Sequence, residues 1–377
     1  MLRQRLMGAR IAILLVCPLL LTAQNKPQLV GTIAFDVDSR SGRVETLEVT
    51  IGDGGTGPYK AILSGDPGLP THAIYRPKDL AAFGNGNLLP IVAFGNGGCR
   101  NTSGEFRNFL SDVASQGFLV VSIGPAGNSV VMGSEERTNT TAASQLLDGV
   151  SWMIAQNDLQ GSPFYHKVAV AKVAVMGQSC GAGQAIEVAS DPRVTTTVAL
   201  NQGVRIAPRT DGQRPPGAGA GAANQPPDRY APYAPRLVRA PDDSAAAAPG
   251  PRQNGAEMLK NLHGPILFVN GGPEDSGFAT AKSNFEAIEH VPVAMAYQAV
   301  GHYPATYRQP NGGAFAQAVG NWLKWQLKGD AVAGKMFAGE SCSLCVDPTW
   351  TVQRKSIQSA FASRRCRRRP VWFCSSF

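Results

Sequence analysis

From residue 88 onward, short apolar runs alternate with segments of helical spacing, and this alternation limits the possible folds more than any other feature. Runs such as LLPIVAFG, FLVVSIG and PILFVNGG are typical of strands buried on both faces of a sheet. Between them, TAASQLLDGVSWMIAQND places apolar residues on one helical face, at Leu146, Leu147, Val150, Met153 and Ile154. This pattern predicts an α/β fold with a mostly parallel sheet and helices on both faces. The residues before it, about 28–90, alternate short strands with turns and predict an antiparallel start.

The positive charge of the chain is concentrated at its two ends. The net charge is +8, but residues 1–23 carry three arginines and residues 351–377 carry seven basic residues, with no acidic residue in either segment. Residues 24–350 are therefore close to neutral and slightly negative. A basic face for nucleic acid is not predicted, so we expect no nucleic-acid partner.

The N-terminus has the order of a secretory signal. Three arginines precede the apolar run IAILLVCPLLL, and the small residue Ala23 follows in LTA. Eleven apolar residues are too few for a membrane span, which needs about 20. We expect residues 1–23 to be a signal peptide, the protein to be secreted or extracytoplasmic, and no stable insertion into a membrane.

Two further segments differ in composition from the rest. Residues 204–256 are rich in Pro, Gly and Ala without apolar periodicity, which predicts a disordered insertion. Residues 351–377 are rich in arginine and unpatterned, which predicts a disordered basic tail. One domain is then expected over residues 24–350, interrupted by the insertion.

The segment Gly177-Gln178-Ser179-Cys180-Gly181 follows an apolar strand and precedes a helix. A G-x-S-x-G in this context predicts a sharp turn that raises a serine hydroxyl above the sheet, near the positive end of the next helix. Ser179 holds the central position of the turn and is the candidate nucleophile. Cys180 is expected to lie in the first turn of the helix.

A serine nucleophile needs a base and an acid that orients the base. In folds with such a turn the acid and then the histidine follow the serine along the chain. His302 follows the last predicted strand. Glu274 and Asp275 share a turn that follows the earlier predicted strand PILFVNGG. We favour Asp275 over Glu274 because the last residue of such a turn is usually aimed at the histidine. The remaining histidines are interpreted as structural or exposed: His72, His166, His263 and His290.

Acyl transfer to serine also needs two donors for the negatively charged oxygen of the intermediate. One is the backbone N–H after the nucleophile, that of Cys180. The other is expected in the glycine-rich loop FGNGGC, where counting from the strand end favours Asn96. The length of the loop leaves Cys99 as an alternative.

These residues resemble the α/β-hydrolase superfamily, and in particular its secreted cutinase-like and polyester-hydrolase-like branch, related to dienelactone hydrolases. The resemblance covers roughly residues 57–340 without the insertion, and its main motifs are FLSDVASQGFLVVSIG, GQSCGAG, GGPEDSG and VGHYPAT. It implies an α/β-hydrolase fold with antiparallel strands at the start. The chain departs from this branch in the insertion, in the tail, and in the loop GNGGC, which lacks the aromatic residue that polyester-binding members carry there.

Six cysteines remain after the signal segment, an even number that suggests disulfides in an exported chain. In the fold that the resemblance implies, Cys99 and Cys180 line one oxyanion hole from two loops, so they are candidates for a disulfide; two buried free thiols are the alternative. Cys342 and Cys345, in SCSLC, are candidates to pair with each other. No second CxxC or suitable histidine pair accompanies them, so we expect no metal site.

The combined expectation is a secreted serine esterase that acts through Ser179, His302 and Asp275 and an acyl-enzyme, without a cofactor. Its substrate would be a small or polymeric carboxylic ester. An acyltransferase or amidase with the same triad is one alternative, and a non-catalytic binding protein that retains the fold is another. The oligomeric state is left open.

Overall fold

The computed structural model describes residues 47–130, 140–206 and 254–357, and these residues form one sheet of ten strands. The strands, in chain order, are β1 (Glu48–Val49), β2 (Ala61–Ser64), β3 (His72–Pro77), β4 (Leu89–Gly95), β5 (Leu119–Ile123), β6 (Val168–Gln178), β7 (Val194–Leu200), β8 (Ile266–Asn270), β9 (Val293–Tyr297) and β10 (Thr351–Lys355). Their order across the sheet is β1-β2-β3-β5-β4-β6-β7-β8-β9-β10.

The middle of the sheet is parallel and its two margins are antiparallel. Strands β5, β4, β6, β7, β8 and β9 pair in parallel with their neighbours. The pairs β1–β2, β2–β3, β3–β5 and β9–β10 are antiparallel. The predicted α/β fold with an antiparallel start is confirmed.

Helices cover both faces because the parallel strands are apolar on both sides. The helices are α1 (Arg107–Ser115), α2 (Ala126–Val130), α3 (Ser144–Asp158), α4 (Cys180–Glu187), α5 (Gly255–Lys260), α6 (Phe278–Ala287), α7 (Gly313–Lys328), α8 (Ala331–Gly334) and α9 (Ser343–Val346). Buried side chains of α1 and α7 belong to the core on one face, and those of α3, α4, α5 and α6 to the core on the other. No helix in the described ranges is both long and apolar enough to span a bilayer.

The carboxyl ends of the parallel strands meet along one edge of the sheet. At this edge β4 ends at Gly95, β6 at Gln178, β7 at Leu200 and β8 at Asn270. In open parallel sheets, the loops beyond this edge carry the functional residues. The predicted serine turn, glycine-rich loop and acid turn all begin here.

The start of the predicted basic tail was placed wrongly, because residues 351–355 form β10. This strand pairs with β9 from Thr351↔Tyr297 to Lys355↔Val293 and so covers an edge of the sheet. Its basic residues reach backbone oxygens: Arg354 donates to the carbonyls of Phe337 and Gly339, and Lys355 to that of Glu286. Residues 358–377 lie outside the described residues.

The predicted insertion also ends earlier than residue 256. Helix α5 begins at Gly255, and the side chain of Asn254 caps it by accepting from the N–H of Ala256 at 3.1 Å. A Cβ on Gly255 would lie 2.1 Å from the carbonyl oxygen of Arg205, so the chain on either side of residues 207–253 comes together at this contact. The rest of the predicted insertion, 207–253, and the predicted signal peptide, 1–23, lie outside the described residues.

Candidate functional site

Ser179 lies in a tight turn between β6 and α4 that only a particular local sequence permits. Its φ of 54° is in the left-handed region, which is uncommon for a residue other than glycine. A Cβ on Gly177 would lie 2.2 Å from the carbonyl oxygen of Gly181, and one on Gly181 would lie 2.1 Å from that of Gly95. Both glycines are therefore required for the turn to lie this close to β4. The serine N–H donates to the carbonyl of Leu200 at 2.8 Å, which ties the turn to the end of β7.

The structure brings Ser179, His302 and Asp275 together. His302 Nε2 lies 2.9 Å from Ser179 Oγ, and His302 Nδ1 lies 2.6 Å from Asp275 Oδ1. The loop with His302 is joined to the acid turn, because the N–H groups of Val300 and Gly301 both donate to the carbonyl of Gly271. In this arrangement the imidazole can take a proton from the serine while the carboxylate holds the other ring nitrogen.

The other residues considered from the sequence lie elsewhere. Glu274 is exposed, whereas the Asp275 side chain is fully buried. Three histidines contact backbone carbonyls away from Ser179: His72 at Gln145, His263 at Val194 and His290 at Leu262. The ring of His166 packs against that of Tyr165.

Four hydrogen bonds fix the carboxylate of Asp275. Oδ1 accepts from His302 and from the N–H of Gly277 at 2.8 Å, and Oδ2 accepts from the N–H of Gly271 at 2.9 Å and from Asn201 Nδ2 at 2.7 Å. Burial alone would raise the pKa of Asp275, but these donors outweigh burial and lower the pKa from its ordinary value. Asp275 is therefore ionised and can accept a hydrogen bond from the N–H of His302.

The loop after β4 faces the serine turn from the other side. Its backbone includes two residues with positive φ, Gly98 at 66° and Cys99 at 50°. The side chain of Asn96 is turned inward and donates to the carbonyls of Ile123 at 2.7 Å and Arg100 at 2.9 Å. This leaves the backbone of Asn96 beside the turn: a Cβ on Gly181 would lie 2.8 Å from Asn96 N.

A disulfide joins this loop to the serine turn. It links Cys99, which is buried, to Cys180, which is exposed, with a Cα–Cα distance of 5.2 Å. A second connection runs through Thr141, whose N–H and Oγ1 both donate to the carbonyl of Cys99, at 2.9 and 3.0 Å. Gln184 of α4 donates in turn to the carbonyl of Thr141 at 2.7 Å.

The remaining candidate cysteines pair with each other away from this site. Cys342 and Cys345 form a disulfide at the start of α9, with a Cα–Cα distance of 5.0 Å. Among the described residues no group of three or more His, Cys, Asp or Glu side chains could hold a metal ion.

Three residues near the site were missed by the sequence analysis. Gln178 donates from Nε2 to the carbonyl of His302 at 3.0 Å, and Asn201 donates to Asp275. Tyr307 donates to Asn201 Oδ1 at 2.6 Å. Gln178 and Asn201 lie at the ends of β6 and β7, so their positions along the sheet edge were a usable signal. Nothing in the local sequence distinguishes Tyr307.

The chain was compared with known protein families. Residues 64–204 match the family described as PETase: PET hydrolase-like, a polyester hydrolase family of the α/β-hydrolase superfamily. The match confirms, over these residues, the resemblance drawn from the motifs. It includes Ser179 and the loop from Asn96 to Cys99, and it ends before Asp275 and His302. Among curated proteins, no sequence matches the chain.

Proposed function

We propose that this protein is a secreted serine hydrolase that cleaves carboxylic esters through an acyl-enzyme. The observation that carries the proposal is the unbroken series of hydrogen bonds from Ser179 through His302 to Asp275, with the serine at a strained strand-to-helix turn. The same local geometry recurs in hydrolases that use serine as a nucleophile.

In the acylation step, Ser179 Oγ attacks the carbonyl carbon of the ester while its proton passes to His302 Nε2. The carbonyl π electrons move to the oxygen and form a tetrahedral oxyanion. This intermediate collapses as the bond to the alcohol oxygen breaks, and His302 gives its proton to the departing alkoxide. The product is the free alcohol and an ester of Ser179.

In the second step, water attacks the acyl-enzyme and loses its proton to His302. Collapse of the new tetrahedral intermediate breaks the bond to Ser179 Oγ, which recovers the proton from His302. Asp275 keeps the imidazole in the tautomer with Nδ1–H and stabilises the imidazolium that forms twice in the cycle. Burial raises the pKa of Asp275, but its four hydrogen-bond donors lower it further, so the carboxylate stays ionised as this role requires.

The oxyanion hole is assigned to the N–H groups of Cys180 and Asn96. Cys180 begins α4, where no intrahelical acceptor is available to its N–H. The alternative donor in the loop, the N–H of Cys99, is directed to the carbonyl of Asn96 at 3.1 Å, which favours Asn96. The disulfide between Cys99 and Cys180 supports the assignment because such donors are effective only when they are held in place beforehand.

The ester class follows from the matched family, whose description names hydrolysis of a polyester. The substrate is a small or polymeric carboxylic ester, and export is supported by the two disulfides and by the signal-like N-terminus. The proposed domain division keeps residues 1–23 as the signal, one catalytic domain to β10, and an insertion in the region of residues 207–253.

The test is labelling of the purified protein with a fluorophosphonate, which reacts only with an activated serine, together with turnover of p-nitrophenyl esters of graded chain length. We expect labelling and turnover in the natural protein. Ser179→Ala should lose the label and several orders of magnitude of turnover, as triads do when the nucleophile is removed. Ser151→Ala is the matched control, because Ser151 is an exposed serine of α3 bonded to the carbonyl of Leu147.

Three results would contradict the proposal. No labelling of the natural protein would indicate a binding protein that retains the fold. Full activity in Ser179→Ala would rule out this serine as the nucleophile. Transfer of the acyl group to an added alcohol or amine in preference to water would indicate an acyltransferase.

A further inference from the structure

The buried side chain of Asn201 lies directly behind the carboxylate of Asp275. Asn201 is the first residue after β7, has a φ of 55°, and is fully shielded from solvent. Its Nδ2 donates to Asp275 Oδ2 at 2.7 Å and also lies 3.4 Å from the carbonyl of Gly301, the residue before His302. One amide thus contacts both the acid turn and the histidine loop.

The orientation of this amide is determined by what each neighbour can accept or donate. The ionised carboxylate of Asp275 can only accept, so the NH2 group of Asn201 must face it. The amide oxygen then points the other way, toward the hydroxyl of Tyr307 at 2.6 Å, and that hydroxyl must be the donor. Reversing the amide would place oxygen against carboxylate.

The side chain of Tyr307 is itself held in place by aromatic packing. Its side chain is buried, and Phe106, Phe109 and Phe315 surround the ring in edge-to-face contacts with centroid distances of 5.1, 5.4 and 5.7 Å. Burial raises the pKa of Tyr307 well above its ordinary value, so the hydroxyl keeps its proton and remains a donor. The ring therefore fixes the hydroxyl, and the hydroxyl fixes the amide.

We propose that Asn201 and Tyr307 are positioning residues that orient Asp275, and through it His302, for proton exchange with Ser179. The proposal rests on the proposed function and deepens it, because the relay Tyr307–Asn201–Asp275 acts on the same triad. Both residues are buried, so we expect them to act through Asp275 and not by contact with the substrate. Their effect should appear in kcat, since they set the geometry of the base and not the affinity for the ester.

The relay tunes the carboxylate and does not hold it alone. Two backbone N–H groups, those of Gly271 and Gly277, also donate to Asp275 and remain when the relay is removed. Loss of the relay should therefore reduce activity without abolishing it. In metal sites, removing a residue that orients a metal ligand by a hydrogen bond lowers activity by about 10–100-fold. We expect kcat to fall within that range here, with KM nearly unchanged.

The experiment compares Tyr307→Phe, Asn201→Gly and the double variant. Tyr307→Phe removes only the hydroxyl and keeps the ring, and glycine at position 201 accepts the positive φ without strain. Tyr75→Phe is the matched control, because Tyr75 is also a buried tyrosine whose hydroxyl makes one buried side-chain hydrogen bond, to Ser103 at 2.8 Å. It lies on β3, five strands from β8 in the sheet order.

Two measurements are made on each protein: kcat and KM for a p-nitrophenyl ester, and the far-downfield proton resonance of the hydrogen bond between His302 Nδ1 and Asp275. We expect both single variants to lower kcat and to shift or broaden the resonance. Tyr307→Phe should have little further effect in the Asn201→Gly background, since the hydroxyl acts only through the amide. Tyr75→Phe should lower stability alone.

The relay is overturned if Tyr307→Phe leaves both kcat and the resonance as in the natural protein. It is also overturned if the two changes are additive, or if Tyr75→Phe has an equal effect on kcat. Failure of the proposed function looks different, because the natural protein itself would then lack turnover and fluorophosphonate labelling. In that case the resonance alone decides whether Asn201 and Tyr307 orient the Asp275–His302 pair.

Discussion

On one side of Ser179, Asp275 and His302 are held by buried hydrogen bonds between turns; on the other side, the loop from Asn96 to Cys99 is held by a disulfide. The first side is built on strand ends that already lie next to each other in the sheet. The second is a glycine-containing loop with two residues at positive φ, so its backbone needs an added constraint.

The two sides should therefore respond to different perturbations. Hydrogen bonds between a carboxylate and backbone N–H groups survive a reductant but depend on the charge of the carboxylate. A disulfide is insensitive to carboxylate charge but is broken by a reductant, and Cys180 is exposed to one. A change that perturbs one side should leave the other intact.

The largest effect is expected on the hydrogen-bonded side. Asp275→Asn keeps the shape of the side chain but should leave His302 in the wrong tautomer, with a loss of kcat of about four orders of magnitude if the site behaves like a serine protease triad. Steady-state kinetics with a p-nitrophenyl ester measures it. Glu274→Gln is the matched control, since Glu274 is the neighbouring carboxylate and is exposed. A large loss in Glu274→Gln and none in Asp275→Asn would show that Glu274, and not Asp275, is the acid that orients His302.

A smaller effect is expected on the disulfide side. Cys99→Ser, or reduction, should lower kcat by about 10–100-fold and leave KM nearly unchanged, because a loosened donor costs less than a removed one, for which the loss is about 10²–10³. Global stability should fall as well, by about 2–4 kcal/mol for a typical disulfide. Kinetics at a temperature well below the unfolding midpoint separates the two effects.

Cys345→Ser is the control for this prediction. It removes the second disulfide at its exposed cysteine, where the sequence separation is 3 instead of 81, and it lies away from Ser179. We expect kcat to stay at the natural value. An unchanged kcat in Cys99→Ser would mean that the contacts of Thr141 alone hold the loop, and the comparison between the two sides would fail.

Local patterns were enough to predict the central part of this fold. The alternation of buried runs and helical segments predicts the parallel strands, since each period reflects the environment of that segment alone. The turn at Ser179 could also be predicted, because the two glycines that it requires lie within one segment of five residues. The positions of Asp275 and His302 followed from where the strands end.

What was missed depends on contacts between distant parts of the chain. Strand β10 exists because it pairs with β9, more than 50 residues earlier, and its Arg and Lys residues resemble a solvated tail. The hydrogen bond from Tyr307 to Asn201 spans 106 residues, and that from Asn201 to Asp275 spans 74. A polar residue at a strand end gives no indication of such a partner until the topology is known.

Low pH should also affect the two sides differently, because His72 becomes protonated. This buried histidine accepts from Thr71 Oγ1 and contacts the carbonyl of Gln145 at 2.9 Å in the first turn of α3. The Gln145 side chain accepts from the N–H of Ala142, next to Thr141, which holds the carbonyl of Cys99. His72 thus supports the disulfide side.

The pKa of His72 is lowered from 6.5 mainly by burial, against the contact with Gln145 and the charge of Asp148. The unfolded chain therefore binds more protons than the folded one below about pH 6.5, and stability should be complete above this pH and fall below it, by at most about 1.4 kcal/mol per pH unit. Asp275, in contrast, is charged when it has lost its proton, and its pKa is also lowered. Its contribution to stability is complete above pH 3.8 and is lost only as the pH falls further. Between these two values the carboxylate of Asp275 should stay ionised while the neighbourhood of His72 weakens.

Urea unfolding at a series of pH values between about 7.5 and 4.5 measures this slope. His72→Gln, which can still donate to the carbonyl of Gln145 but does not titrate, should flatten it. His290→Gln is the matched control, because His290 makes the same kind of contact, to the carbonyl of Leu262, from an exposed position; it should leave the slope as it is. If His72→Gln keeps the full slope, the acid sensitivity arises elsewhere, and the two sides of the site do not differ in their response to protons.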